Sequence, residues 1–173
     1  MRQALRIRHS ASIAACAVAL AACAHGVGQH GGPPRIAHIG QQAPDWTQPL
    51  AGGGRLTFTS LHGSPVYLNF FASWCEPCNE EAPAINALQE HYARRGLRTV
   101  AIDEEENAAT ALAFKRKYGL IYPAVVDDGA LQDQYRINGL PVHVFIDRSG
   151  IVRNIVVGQM AKSEIDEAIR KIL

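Results

Sequence analysis

A strong charge of either sign is missing from this chain: 17 Lys and Arg stand against 16 Asp and Glu over 173 residues, a formal net charge of +1. A nucleic-acid binder would carry a marked basic excess, so that class is set aside. Long apolar runs are missing too. The run from Ile13 to Ala22 (IAACAVALAA) is about half the roughly 20 residues that a spanning helix needs. The chain is nevertheless 47% hydrophobic, too apolar for disorder. It has no internal repeat, and its length fits one domain. Cysteine is scarce, at Cys16, Cys23, Cys75 and Cys78. An even count allows a two-disulfide scaffold. A domain near this size, however, buries about 68–70% of its unfolded surface and needs no staple. The lack of a second Cys pair argues against a structural metal site.

What is present divides in three. Residues 1–22 begin with Arg2, Arg6 and Arg8 and no acid, continue in the short apolar run, and end in small residues, the pattern of a secretory signal peptide. A buried N-terminal helix is the alternative, disfavoured by the Gly and Pro that follow and by the lack of an amphipathic face. Without these arginines the rest of the chain is slightly acidic. Residues 23–42 are rich in Gly, His, Gln and Pro without apolar periodicity, and read as a flexible tether. Residues 43–173 alternate strand and helix signals. Leu56–Thr59 reads as a strand of an opening hairpin, Pro65–Ala72 as a central strand buried on both faces, Cys75–Arg94 as a helix and Leu97–Asp103 as a strand. Ala108–Tyr118 reads as a helix ended by Gly119, followed by a short strand Pro123–Val126 and a short helix Leu131–Tyr135. A hairpin of Val142–Asp147 and Ile151–Val157 and a helix over Lys162–Ile172 close the chain. A β-α-β crossover followed by a hairpin and a terminal helix implies an α/β fold, a mixed central sheet flanked by helices.

Cys75-Glu76-Pro77-Cys78 stands where a buried strand meets a helix start. The first thiol there lies at the positive end of the helix dipole and can accept backbone N–H bonds, which lowers its pKa. Pro77 early in the helix costs little, because the N–H it lacks would have no intrahelical partner. The arrangement supplies an attacking thiolate, Cys75, and a resolving thiol, Cys78. A structural disulfide would constrain too little chain to stabilise much.

Phe70-Phe71-Ala72-Ser73-Trp74-Cys75-Glu76-Pro77-Cys78 resembles the active-site segment of thioredoxin-fold proteins, and residues 43–173 resemble the TlpA/ResA/CcmG group of thiol–disulfide oxidoreductases. Ala43-Pro44-Asp45, Glu81-Ala82-Pro83, Gly139-Leu140-Pro141 and an insertion from Glu104 to Pro123 carry the resemblance further. It implies a thioredoxin-like fold with an N-terminal β-hairpin, and a redox-active disulfide, Cys75–Cys78, with no other cofactor and no metal. It further implies a cis-proline at Pro141 that docks substrate together with Leu140, where the group commonly has Thr. Trp74 matches the aromatic flanking the nucleophile, and Glu76 is expected to tune surface charge and the thiolate. Asn69 replaces the buried acid of thioredoxin. The acid/base role falls to Glu81, three residues after Cys78 on one helix face; a solvated first-turn acid is the alternative. Glu80 and the run Asp103–Glu106 read as solvated, and His143 as a packing residue.

Leu20-Ala21-Ala22-Cys23 resembles a bacterial lipobox, which implies cleavage before Cys23 and its lipidation on the periplasmic side; ordinary signal cleavage is the alternative. The expected function is a membrane-anchored protein disulfide reductase. The resemblance implies protein disulfide substrates, among them apocytochrome c in cytochrome c maturation, and a membrane electron donor of the DsbD or CcdA type. A disulfide oxidant of the same fold is the rival, as is a Sco-like copper-handling protein, whose wider Cys spacing counts against it. A peroxidase would need a Thr/Cys pattern that is missing here.

Overall fold

The computed structural model describes residues 36–173. The signal peptide, Cys16, Cys23 and most of the tether lie outside the described residues.

Chain order is β1 (Thr47–Pro49), β2 (Arg55–Thr57), β3 (Val66–Phe71), α1 (Glu76–Tyr92), β4 (Arg98–Glu104), α2 (Ala108–Tyr118), β5 (Ala124–Asp127), α3 (Ala130–Tyr135), β6 (Val142–Ile146), β7 (Val152–Val157) and α4 (Lys162–Arg170). The main sheet has the order β5-β4-β3-β6-β7. β3 lies at its centre, parallel to β4 and antiparallel to β6, and all six of its residues are buried. The strand alternates between two cores. Tyr67 and Phe71 face a cluster with Ile85, Leu88 and Tyr92 of α1, Phe114 of α2, and Ile165 and Ile169 of α4. Val66, Leu68 and Phe70 face the opposite cluster, with Trp46, Phe58, and Leu131 and Tyr135 of α3. The fold is thioredoxin-like, a mixed sheet covered on both faces. The Glu104–Pro123 insertion provides α2 and leads into β5, the parallel edge strand beside β4.

Caps set several of the boundaries. Asn107 precedes α2, and its Oδ1 accepts from the N–H groups of Ala109 (3.0 Å) and Thr110 (3.1 Å). Gly119 ends the helix in the left-handed region at φ 60°, where its missing Cβ matters. Asn107→Ala should destabilise the protein by about 1 kcal/mol, read as a lowered denaturation midpoint.

Two expectations need correction. The Leu56–Thr59 strand ends at Thr57, because Phe58 begins a 3₁₀ turn (Phe58–Leu61). There Phe58 donates its N–H to the Trp46 carbonyl (2.9 Å) and buries its ring 5.6 Å from the indole. The tether reading to residue 42 is also too long. Ala37 is buried, and its N–H bonds to the Gln134 carbonyl (2.8 Å). Gly40 donates to Val152 (2.8 Å), Gln41 accepts from Val152 (2.9 Å), and Gln42 Nε2 donates to the Ser149 carbonyl (2.9 Å). The folded body therefore includes residues 37–42. The ties run mostly through backbone groups, which leave no apolar periodicity to read.

Candidate active site

β3 delivers the chain into Cys75, which is the N-cap of α1. Cys75 and Cys78 form a disulfide with Cα atoms 5.3 Å apart. Cys75 Sγ accepts the Cys78 N–H at 3.3 Å, so the nucleophile already faces a helix N-terminal donor. Pro77 sits in the first turn, where the N–H it lacks would have had no intrahelical partner. Cys75 and Cys78 are 5% and 3% exposed, whereas neighbouring Trp74 is 73% exposed and Glu76 also faces solvent. The reactive pair is buried, and the side chain just before it in the chain is an exposed apolar one that a partner protein can touch.

Four residues hold this loop: Glu106, from the acidic run, and Asn79, Lys117 and Tyr118, to which sequence reasoning gave no role. Glu106 accepts from both the N–H and the hydroxyl of Ser73, each at 2.6 Å. Asn79 Nδ2 donates to the carbonyls of Ser73 (2.9 Å) and Cys75 (2.7 Å), while its Oδ1 accepts from Tyr118 Oη (2.6 Å) and Lys117 Nζ (3.0 Å). The insertion thus clamps the Cys75 loop from both its approach loop and α2. The reading of Asp103–Glu106 as a solvated run is corrected accordingly. Asp103 and Glu104 belong to β4 and are buried, and Glu106 is spent on Ser73. Glu80, by contrast, is exposed and accepts from Gln159 Nε2 (2.7 Å).

The Leu140–Pro141 peptide bond is cis. Phe70 pairs with Val142 across β3 and β6, so Pro141 stands at the end of β3 that leads into Cys75. Its carbonyl accepts the Gly158 N–H (2.8 Å), and half-buried Leu140 packs against both cores.

Glu81 lies one helical turn beyond Cys78 and is 3% exposed, not solvated. Its Oε1 accepts the backbone N–H of Met160. Burial pushes its carboxyl up to about 7, against the lowering effect of the Met160 bond and with a further rise from Glu80. Fully buried His143 also reaches this carboxyl: its Nε2 is 3.4 Å from Glu81 Oε2, so it does more than pack. Asn69, paired with His143 across the strands, leaves its Nδ2 without a partner.

The sequence pattern of the AhpC/TSA family matches residues 39–155. The chain belongs to that family. The thiol-disulfide oxidoreductase ResA of Bacillus thuringiensis (strain Al Hakam) is 31% identical over 135 residues, 78% of this chain and 78% of that protein. The thioredoxin-like protein YneN of Bacillus subtilis (strain 168) is 33% identical over 133 residues, 75% of this chain and 78% of the relative. Among solved structures, a thiol:disulfide interchange protein DsbE from Chlorobium tepidum, itself described as putative, superposes with a TM-score of 0.73 at 29% identity, covering 79% of this chain and 98% of the other. A secreted Mycobacterium tuberculosis disulfide oxidoreductase, homologous to the DsbE of E. coli, superposes with a TM-score of 0.67 at 25% identity, covering 73% and 95%. With these relatives and a Cys75–Cys78 disulfide at the helix start, the protein is a thiol–disulfide oxidoreductase of the ResA/DsbE type. No described helix is long and apolar enough to cross a membrane.

Proposed function

We propose that the protein is a protein disulfide reductase working on the periplasmic side of a bacterial membrane, held there by a lipidated Cys23. The observation that carries this reading is Cys75 at a helix N-cap, with buried Glu81 one turn beyond the resolving thiol. The lipobox-like Leu20–Cys23 segment and the likeness to a secreted oxidoreductase support the location.

In the reduced protein the Cys75 thiolate attacks a substrate disulfide. One Cys75–substrate S–S bond forms and the substrate's own S–S bond breaks, releasing one substrate thiolate. Cys78 passes its thiol proton to the Glu81 carboxylate and its sulfur attacks Cys75 Sγ. The Cys75–Cys78 disulfide forms and the second substrate thiolate leaves, so two electrons reach the substrate. Trp74, Leu140 and the cis Pro141 form the docking edge. Glu76 adds surface charge beside the thiolate. A membrane electron donor of the DsbD or CcdA type returns two electrons to the disulfide, and oxidised apocytochrome c is the proposed substrate.

Equilibration of the Cys75–Cys78 pair against a glutathione series tests the direction. A reductase should have a reduction potential near that of thioredoxin, about −270 mV, and a value near the roughly −120 mV of DsbA would make the protein an oxidant instead.

A further inference from the structure

Between Glu81 and the sheet lies a buried polar chain that disulfide exchange does not in itself require. His143 sits on β6, fully buried, and both ring nitrogens are engaged. Nε2 lies 3.2 Å from the Gly158 carbonyl oxygen, and Nδ1 lies 2.7 Å from the Tyr67 hydroxyl. A carbonyl can only accept, so Nε2 carries the hydrogen. Nδ1 is then the acceptor, and Tyr67 donates to it. Tyr67 stays protonated, because burial first, and the neighbouring Tyr122 and Glu81 after it, push its phenol well above the ordinary value. His143 stays neutral, because burial pulls its imidazolium down to about 4 despite the bond to Gly158. The tautomer is thereby fixed, with one N–H aimed between two oxygens: the Gly158 carbonyl and Glu81 Oε2, 3.4 Å away. Oε2 is buried and has no hydrogen-bond partner of its own.

We propose that His143 is a positioning residue for Glu81: its Nε2–H turns from the Gly158 carbonyl toward Oε2 when the carboxyl loses its proton, and so steadies the carboxylate that receives the Cys78 proton. This rests on the acid/base role of Glu81 proposed above. The groups facing Glu81 are Met160 N–H from the β7–α4 loop, His143 from β6, Tyr67 behind it on β3, and Glu80 on its own helix. Of the side chains among them, Glu80 is engaged as an acceptor of Gln159 Nε2, and Tyr67 has given its hydrogen to Nδ1, which leaves His143 as the donor. Met160 already serves Oε1, so the second oxygen depends on His143. The coupling also links the carboxyl to the sheet edge. Gly158, which shares the His143 N–H, donates its own N–H to the carbonyl of Pro141.

The test follows the Glu81 carboxyl directly by ¹³C NMR titration of glutamate-labelled protein, its signal assigned by loss in Glu81→Gln. In His143→Phe the ring is kept and the donor is lost. The titration midpoint should rise by about one pH unit, the worth of a hydrogen bond to a charged group. His143→Gln restores a donor at the Nε2 position and should bring the midpoint back toward the parent protein. Tyr67→Phe, which releases the tautomer while leaving the imidazole in place, should move it up by less. An unmoved midpoint in folded His143→Phe, or equal shifts in the Phe and Gln variants, overturns the proposal. Should His143→Phe fail to fold, an unmoved midpoint in Tyr67→Phe does so. The pH profile of insulin reduction is measured on the same variants. A midpoint that moves while the profile stays fixed keeps the His143–Glu81 coupling and refutes the acid/base role of Glu81.

Discussion

Cys78→Ser should turn the protein from a catalyst into a trap. Mixed with a protein disulfide and quenched with an alkylating agent, it should accumulate a covalent adduct through Cys75, visible as a thiol-sensitive band on a non-reducing gel. Cys75→Ser should form no adduct and lose turnover by at least about a thousandfold, as removal of an attacking group does. The asymmetry comes from the helix start. Cys75 is the N-cap, and its sulfur accepts the Cys78 N–H, a donor that favours thiolate over thiol. Cys78 lies within the first turn, without the N-cap position, and serves to displace a partner already attached to Cys75. Full activity in Cys75→Ser, or an adduct formed through Cys78, would reverse the assignment of nucleophile and resolving thiol.

The parts of this molecule that could be read from sequence are those whose cause is local. The strand Val66–Phe71 announces itself as an apolar run, and the helix Ala108–Tyr118 is closed by the Gly119 that follows it. The Cys75-Glu76-Pro77-Cys78 segment is legible because its chemistry depends on two thiols three residues apart. What stayed hidden depends on pairs far apart in the chain. Glu106 and Ser73 are 33 residues apart, and Asp103–Glu106 looks like any exposed acidic run until β4 carries its first two members inside. His143 meets Tyr67 across 76 residues, through a strand register that no local pattern reveals. The packing of residues 37–42 is hidden for another reason. It uses mostly backbone hydrogen bonds, which every sequence possesses. Asn79 stayed hidden as well, since a helix start leaves N–H groups open, and nothing local announces that its amide turns back to the Ser73 and Cys75 carbonyls.

Stability should fall as the pH rises from about 5 to about 8.5, and the buried acids of β4 should be the main cause. Asp103 and Glu104 are successive strand residues, so their side chains enter opposite faces of the sheet, and neither carboxyl has a hydrogen-bond partner. Burial pushes Asp103 up to about 8, helped by the neighbouring carboxyls of Glu106 and Glu104. Burial likewise pushes Glu104 up to about 8, helped by Asp127 and Glu105. In the unfolded chain both lose their protons near pH 4. Between those limits the folded state binds more protons than the unfolded state, so each step up in pH favours unfolding. Their contribution is fully present below about pH 4 and is lost as pH passes through 8. Glu81, raised to about 7, acts in the same direction. With about 1.4 kcal/mol for each unit of displacement, the combined loss between pH 5.5 and 8.5 should be at least about 2 kcal/mol. Guanidinium unfolding of the oxidised protein at the two pH values measures it. Asp103→Asn with Glu104→Gln keeps the shape of the protonated side chains without a titrating group, and should flatten most of the slope. A parent protein equally stable at both pH values would show that these carboxyls are ionised in the fold. Their burial would then have to be offset by partners on β4 and β5 that the folded chain does not provide.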